Sequence, residues 1–168
     1  MHPTKVDKNS NLKLFSVFQM MNDCDDMWLD SEPAAKHCFI TEHRAQLLAS
    51  RQVEVVRNVI NSLKYNEKLP MEYKERRIHL PKKAMTALAP VAVTRNDIDY
   101  NQHMNNSHYI RIALEQLPEQ FSPKSIRIEY KIPAKLGDTL TPNIVEEDAI
   151  YYMTLVSEKG ICAIMEFA

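Results

Sequence analysis

Asp99, Asn101 and His103 stand at alternate positions in an Asn/Asp-rich passage, Asn96 to Asn106, that closes on the pair Asn105-Asn106. A carboxylate, an amide and an imidazole in so short a stretch suit acyl transfer. The carboxylate can act as base or nucleophile, the amide can position the nucleophile or the substrate, and the imidazole exchanges protons near neutral pH. Immediately after the passage a helix is predicted to open at Asn105, Asn106 or Ser107, any of which can cap it through a side-chain oxygen. The free N–H groups of a helix start can meet an oxyanion as it develops. A second reading competes, since Asn and Asp bond readily to nearby backbone and the same residues can simply build turns and caps.

The elements that would position these residues are legible around them. Tyr109, Ile110, Ala113, Leu114 and Leu117 give the helix one apolar face, and Pro118 marks its end. Before it, Pro90 to Thr94 is strand-like. After it, Ile126, Ile128, Tyr130 and Ile132 alternate with Arg127, Glu129 and Lys131, which puts the apolar residues on one face of a strand. A turn at Lys135 to Asp138 follows, then strand candidates Thr139 to Glu146, Ile150 to Val156 and Ile161 to Phe167, the last two joined by a hairpin at Ser157 to Gly160. Both glycines, Gly137 and Gly160, fall at these turns. Strand, helix and four strands make an α+β arrangement in which one helix covers one face of an antiparallel sheet and the other face need not be buried.

The amino-terminal part is less regular. Leu12 to Met27 carries Leu14, Phe15, Phe18, Met21 and Cys24 at helical spacing, and the acidic run Asp23 to Asp26 predicts either an early end or a continuation towards Trp28, because negative charge is unfavourable at a helix C-terminus. Glu42 to Leu48 and Asn58 to Leu63 read as short helices. Arg51 to Arg57 alternates as a strand does, without obvious neighbours. Lys64 to Ala89, polar and holding Pro70 and Pro81, reads as a linker.

With 168 residues, 45% hydrophobic and 26% charged, the composition is that of a soluble globular protein, and a net charge of −1 gives no reason to expect nucleic acid. No stretch has the length of a signal peptide's apolar region or the ~20 residues of a membrane span, so no membrane partner and a cytoplasmic location are expected. Cys24, Cys38 and Cys162 suggest neither a disulfide framework nor a zinc knuckle and read as small apolar residues. His103 and His108 with Asp99, or His37, Cys38 and His43, match no common metal spacing, so neither metal nor cofactor is expected. Lys74, Arg76, Arg77, Lys82 and Lys83 could meet an acidic partner, though Glu72 and Glu75 dilute them to an ordinary solvated linker.

The passage Asp97 to Glu115, DIDYNQHMNNSHYIRIALE, resembles the second hot-dog domain of the acyl-ACP thioesterases, whose motif is an aspartate, any residue, asparagine, glutamine, histidine and then a paired asparagine. IEYKIPAKLGD, Ile128 to Asp138, resembles the family's next strand and turn. The resemblance implies a complete hot-dog domain over residues 90–168, an antiparallel sheet wrapped around one central helix. It also implies catalytic Asp99, Asn101 and His103, substrate binding at Asn105, Asn106 and Ser107, and a fatty acyl thioester of acyl carrier protein as substrate. FSVFQMMNDCDDMWLDSEP and LLASRQVEVVR resemble the helix region and following strand of the family's first hot-dog domain, and NSLKYNEKLPMEYKERRIHLP its interdomain linker. Residues 1–63 are therefore expected to be an internally truncated first domain, a helix plus one strand, joined by a linker over 64–89. Such a fragment must dock elsewhere, pair with another chain or stay loose. The glutamate-cysteine pair that plant members carry after the Ile128 to Lys131 strand is replaced by Pro133 and Ala134, so no cysteine nucleophile is implied. Exposed sheet edges of a single hot-dog domain imply a homodimer.

Overall fold

The computed structural model describes residues 14–31, 50–54 and 73–168. In chain order these form helix α1 (Leu14–Ser31), strands β1 (Ser50–Glu54), β2 (Thr86–Ala87) and β3 (Val91–Ala92), helix α2 (Asn106–Gln116), and strands β4 (Ser125–Tyr130), β5 (Thr139–Glu147), β6 (Ile150–Ser157) and β7 (Gly160–Phe167). All strand pairs are antiparallel, in the order β1-β4-β7-β6-β5-β2, with β3 also on β5.

The three long strands arise where period-two alternation meets good turn chemistry. Asp148 and Ala149, both at positive φ (53° and 61°), join β5 to β6 in a two-residue turn whose twist matches that of the strands. Gly160, at φ 123°, closes the β6–β7 hairpin in a conformation open to glycine. The inward residues of the sheet, Ile126, Ile128, Leu140, Met153, Leu155, Met165 and Phe167, form one buried cluster with Tyr109, Ile110, Ile112 and Ala113 of α2. Each such side chain contributes roughly 1.5–3 kcal/mol by leaving water.

Four expectations change. The sheet carries two helices where one was expected: α1 packs beside α2, and its Phe18 is fully buried in the same core. Strand β1 has a neighbour after all, since it pairs along β4 with Ser50 opposite Glu129 and Val53 opposite Ile126. Both α1 and β1 are packed onto the rest of the described residues, α1 on α2 and β1 on β4. The end of the expected linker holds strand β2, and the strand expected from Pro90 to Thr94 is only Val91–Ala92. Helix α1 runs past Trp28, the second of its two expected endings. The expected short helices at Glu42 to Leu48 and Asn58 to Leu63 lie outside the described residues.

The outer face of the sheet is partly covered as well. Arg127, polar in the β4 alternation, is buried because Glu166 stands opposite it on β7 and accepts its hydrogen bond at 2.7 Å. Lys74 reaches the same carboxylate at 2.9 Å, and neighbouring Ile78 is buried. Opposite charges directly across a ladder let the pair be buried where either charge alone would be costly.

Candidate functional site

The passage between β3 and α2 folds into a tight loop held by its own groups. Thr94, ahead of a single 3-10 turn at Arg95–Asp97, donates both its backbone N–H (2.8 Å) and its hydroxyl (2.7 Å) to Asp97 Oδ2. Ile98 and Met104 then pair as an isolated bridge, and between them Asp99 and His103 close a turn: the Asp99 N–H donates to the His103 carbonyl at 2.8 Å. Asp99 Oδ1 accepts the N–H groups of Asn101 (2.8 Å) and His103 (3.2 Å). Gln102 turns the corner at φ 62°. The side chains of Asp99, Asn101 and His103 are thus gathered on one half-exposed loop. One oxygen of the carboxylate is fixed by backbone, the very bonding that the turn-and-cap reading anticipates.

Helix α2 opens as expected. Asn105 is its cap, accepting from the Ser107 N–H (2.9 Å) and the Ser107 hydroxyl (2.8 Å) on Oδ1. The same oxygen receives Asn22 Nδ2 of α1 at 2.7 Å, and Asn22 Oδ1 accepts Arg51 Nη1 of β1 at 2.5 Å. The supply of anion-binding N–H groups is narrower than expected. Asn105 N–H donates to the Asp97 carbonyl and His108 N–H to the Asn105 carbonyl, so of residues 105–108 only the Asn106 N–H has no partner among the described residues.

Just behind this loop lies a charged cluster. Asp97 is buried, and its Oδ1 meets His108 Nδ1 at 2.7 Å and Arg111 Nη2 at 2.9 Å. Burial by itself would raise this carboxyl, but the bonds from Thr94 and His108 and the electrostatic attraction of His108 hold it far below its ordinary 3.8. The edge of the Phe15 ring of α1 lies against the His108 ring, centroids 5.8 Å apart.

Residues 81–162, which hold the loop, the capped helix, the charged cluster and β4 to β6, match the family model of the acyl-ACP thioesterase C-terminal domain. This part of the chain belongs to the acyl-ACP thioesterase family. Among solved structures, an acyl-ACP thioesterase from Bacteroides thetaiotaomicron superposes with a TM-score of 0.75 at 14% identity, covering 98% of this chain and 93% of that one. The 12:0-ACP thioesterase of Umbellularia californica gives 0.74 at 13% identity, covering 99% and 93%. At such identities the likeness is one of fold, the hot-dog arrangement of antiparallel sheet and helices. No curated protein sequence matches the chain.

The thioesterase domain sets Ala134 against its loop. Ala134 is fully buried, its N–H donates to the Tyr109 hydroxyl at 2.9 Å, and its carbonyl accepts the Met104 N–H at 2.8 Å. Burial pushes the Tyr109 phenol up to about 12, so it stays protonated. Positions 133 and 134 therefore offer the loop neither an acid nor a thiol. Cys162, buried on β7, lies against the Ser157 hydroxyl at 3.4 Å.

Sequence reasoning missed Asp97, His108, Arg111, Asn22 and Arg51. A signal for the first three was present: Thr94 and Asp97 have capping-box spacing, and His108 and Arg111 stand three apart on one helix face. No local signal linked Asn22 or Arg51 to Asn105. Among the described residues no group of three or more His, Cys, Asp or Glu side chains is placed to hold a metal, and no helix is long and apolar enough to cross a membrane.

Proposed function

We propose that the chain hydrolyses fatty acyl-ACP, releasing free fatty acid and the carrier thiol. The observation that carries this reading is an Asp/Asn/His loop set directly before a capped helix inside the segment that matches the thioesterase family. Asp99 activates water or attacks the acyl carbonyl, Asn101 positions the nucleophile or the thioester, and His103 assists proton transfer. The carbonyl oxygen rests against the Asn106 N–H, where a donor without another partner is worth most to a developing oxyanion. Asn105 and Ser107 serve that pocket by fixing the first turn. Water adds to the acyl carbon, the carbon–sulfur bond breaks, and the water's proton ends on sulfur.

The test is free-thiol release from acyl-ACP and acyl-CoA thioesters. Wild-type protein is expected to turn over, with acyl-ACP preferred, and Asp99→Ala to abolish turnover while leaving the thermal transition within a few degrees; an active Asp99→Ala protein refutes the role of Asp99. A second reading, a non-catalytic acyl-binding module of the same fold, draws on the fact that Asp99 Oδ1 already serves two loop N–H groups. Titration with a non-hydrolysable acyl-ACP that binds to a protein inactive on every thioester would favour it. We also propose a homodimer through the outer edge of β1, which pairs with nothing among the described residues; a monomer in sedimentation at micromolar concentration would count against it.

A further inference from the structure

The cluster of Asp97, His108 and Arg111 has features that a structural ion pair does not need. His108 stands in the first turn of α2, two residues after the Asn106 N–H assigned to the oxyanion, and its ring folds back onto a carboxylate two residues before Asp99. Its Nδ1 is held at 2.7 Å by Asp97, whose other oxygen is anchored by both donors of Thr94, so the ring cannot swing without breaking that anchor. No described residue bonds Nε2. Yet no buried side-chain nitrogen or oxygen lacks a partner, so Nε2 is an open atom of a ring that is otherwise 17% exposed. Orientation of one imidazole nitrogen by a buried carboxylate, with the other nitrogen left open, is the arrangement that selects one tautomer and readies the second nitrogen for a proton.

The other groups facing the ring fit that use. Arg111 shares Asp97 Oδ1 at 2.9 Å, so the carboxylate is already neutralised by a permanent cation and the imidazole is not required to be charged to satisfy it. Phe15 of α1 presents a ring edge and no charge. Asn105, the helix cap, is neutral. Among the described residues, Asp97 is the charged side chain bonded to His108, and Arg111 acts on it through Asp97.

We propose that His108, positioned by Asp97, is a further proton-carrying residue of the thioesterase site, a role that rests on the acyl-ACP hydrolysis assigned above. As water adds to the acyl carbon its proton passes to His108 Nε2, directly or by way of the Asp99 carboxylate. As the carbon–sulfur bond breaks, Nε2 gives that proton to the carrier thiolate. His103, on the half-exposed loop, keeps the assisting role given above and also donates its backbone N–H to Asp99.

The experiment is the pH profile of kcat/KM for acyl-ACP hydrolysis by wild type, His108→Gln, His103→Gln and Asp97→Asn, with thermal melts as a check of folding. His108→Gln is expected to lower kcat by about 10²-fold or more and to erase the acid limb of the profile. Added imidazole should restore activity to His108→Ala. Nitrogen NMR of labelled wild type should show the neutral form of the His108 ring carrying its proton on Nδ1, facing Asp97. Asp97→Asn, if folded, should lower kcat by reversing that tautomer. A His108→Gln enzyme with wild-type kcat, or one whose acid limb survives while His103→Gln loses it, overturns the proposal and leaves the thioesterase reading intact. A wild-type protein that hydrolyses no acyl thioester overturns both.

Discussion

Two single residues hold conformations or charges that can be tested one at a time. Ala149 sits at φ 61° in the second position of the β5–β6 turn, where a Cβ atom is strained and glycine is the preferred residue. Ala149→Gly is expected to raise stability by about 1 kcal/mol, read as a rise in Tm of a few degrees, in spite of the extra freedom glycine gives the unfolded chain. Asp97 makes a different prediction. A carboxyl lowered on folding contributes its full stability above its unfolded value near 4, and that contribution drains away as pH falls through the folded value. Wild-type protein should therefore lose stability steadily below about pH 4. Asp97→Asn, less stable at neutral pH, should show a flatter acid limb; equal slopes would show that Asp97 is not the group responsible.

At the scale of elements the seam between α1, β1 and α2 is the feature that matters. Asn22 donates to the cap residue of α2 and accepts from Arg51 of β1, so one amide ties three elements together. Asn22→Ala is expected to cost about 1–2 kcal/mol in urea unfolding, because two partly buried polar groups lose a partner, and to lower kcat/KM by loosening the first turn of α2. Unchanged values would mean that the seam is held by Phe15 and Phe18 alone. The boundaries of α2, β5, β6 and β7 were legible in the sequence because they rest on local rules: a cap at Asn105, a breaker at Pro118, alternation, glycine at a turn. The pairing of β1 with β4 and the contact of Asn22 with Asn105 join residues far apart in the chain, where no local rule reaches. The candidate loop was legible as residue types, whereas its bonding was half hidden. Asp99, Asn101 and His103 were visible as a motif, but the pairing of Asp97 with His108 at 2.7 Å was not, because only the fold of the loop brings the two together.

For the whole molecule, the amino-terminal elements and the thioesterase domain share one core, since Phe18 of α1 and Ile126 of β4 belong to the same buried cluster. Phe18→Ala should cost about 3–5 kcal/mol and move a single thermal transition, as truncation of Ile126 would; a second transition appearing in the variant would show that α1 melts by itself. The sheet order also dictates when this core can form in a growing chain. Strand β1 has its seat on β4, and β4 is flanked on its other side by β7, which follows β4, β5 and β6 in chain order. During synthesis α1 and β1 emerge well before β4 and β7, carrying Phe15, Phe18 and Val53, and their docking surface is finished only when Gly160–Phe167 has left the ribosome. This core thus closes late, dependent on contacts of long sequence separation, and until β4 and β7 follow, the nascent α1 and β1 stay open to chaperones and to neighbouring chains.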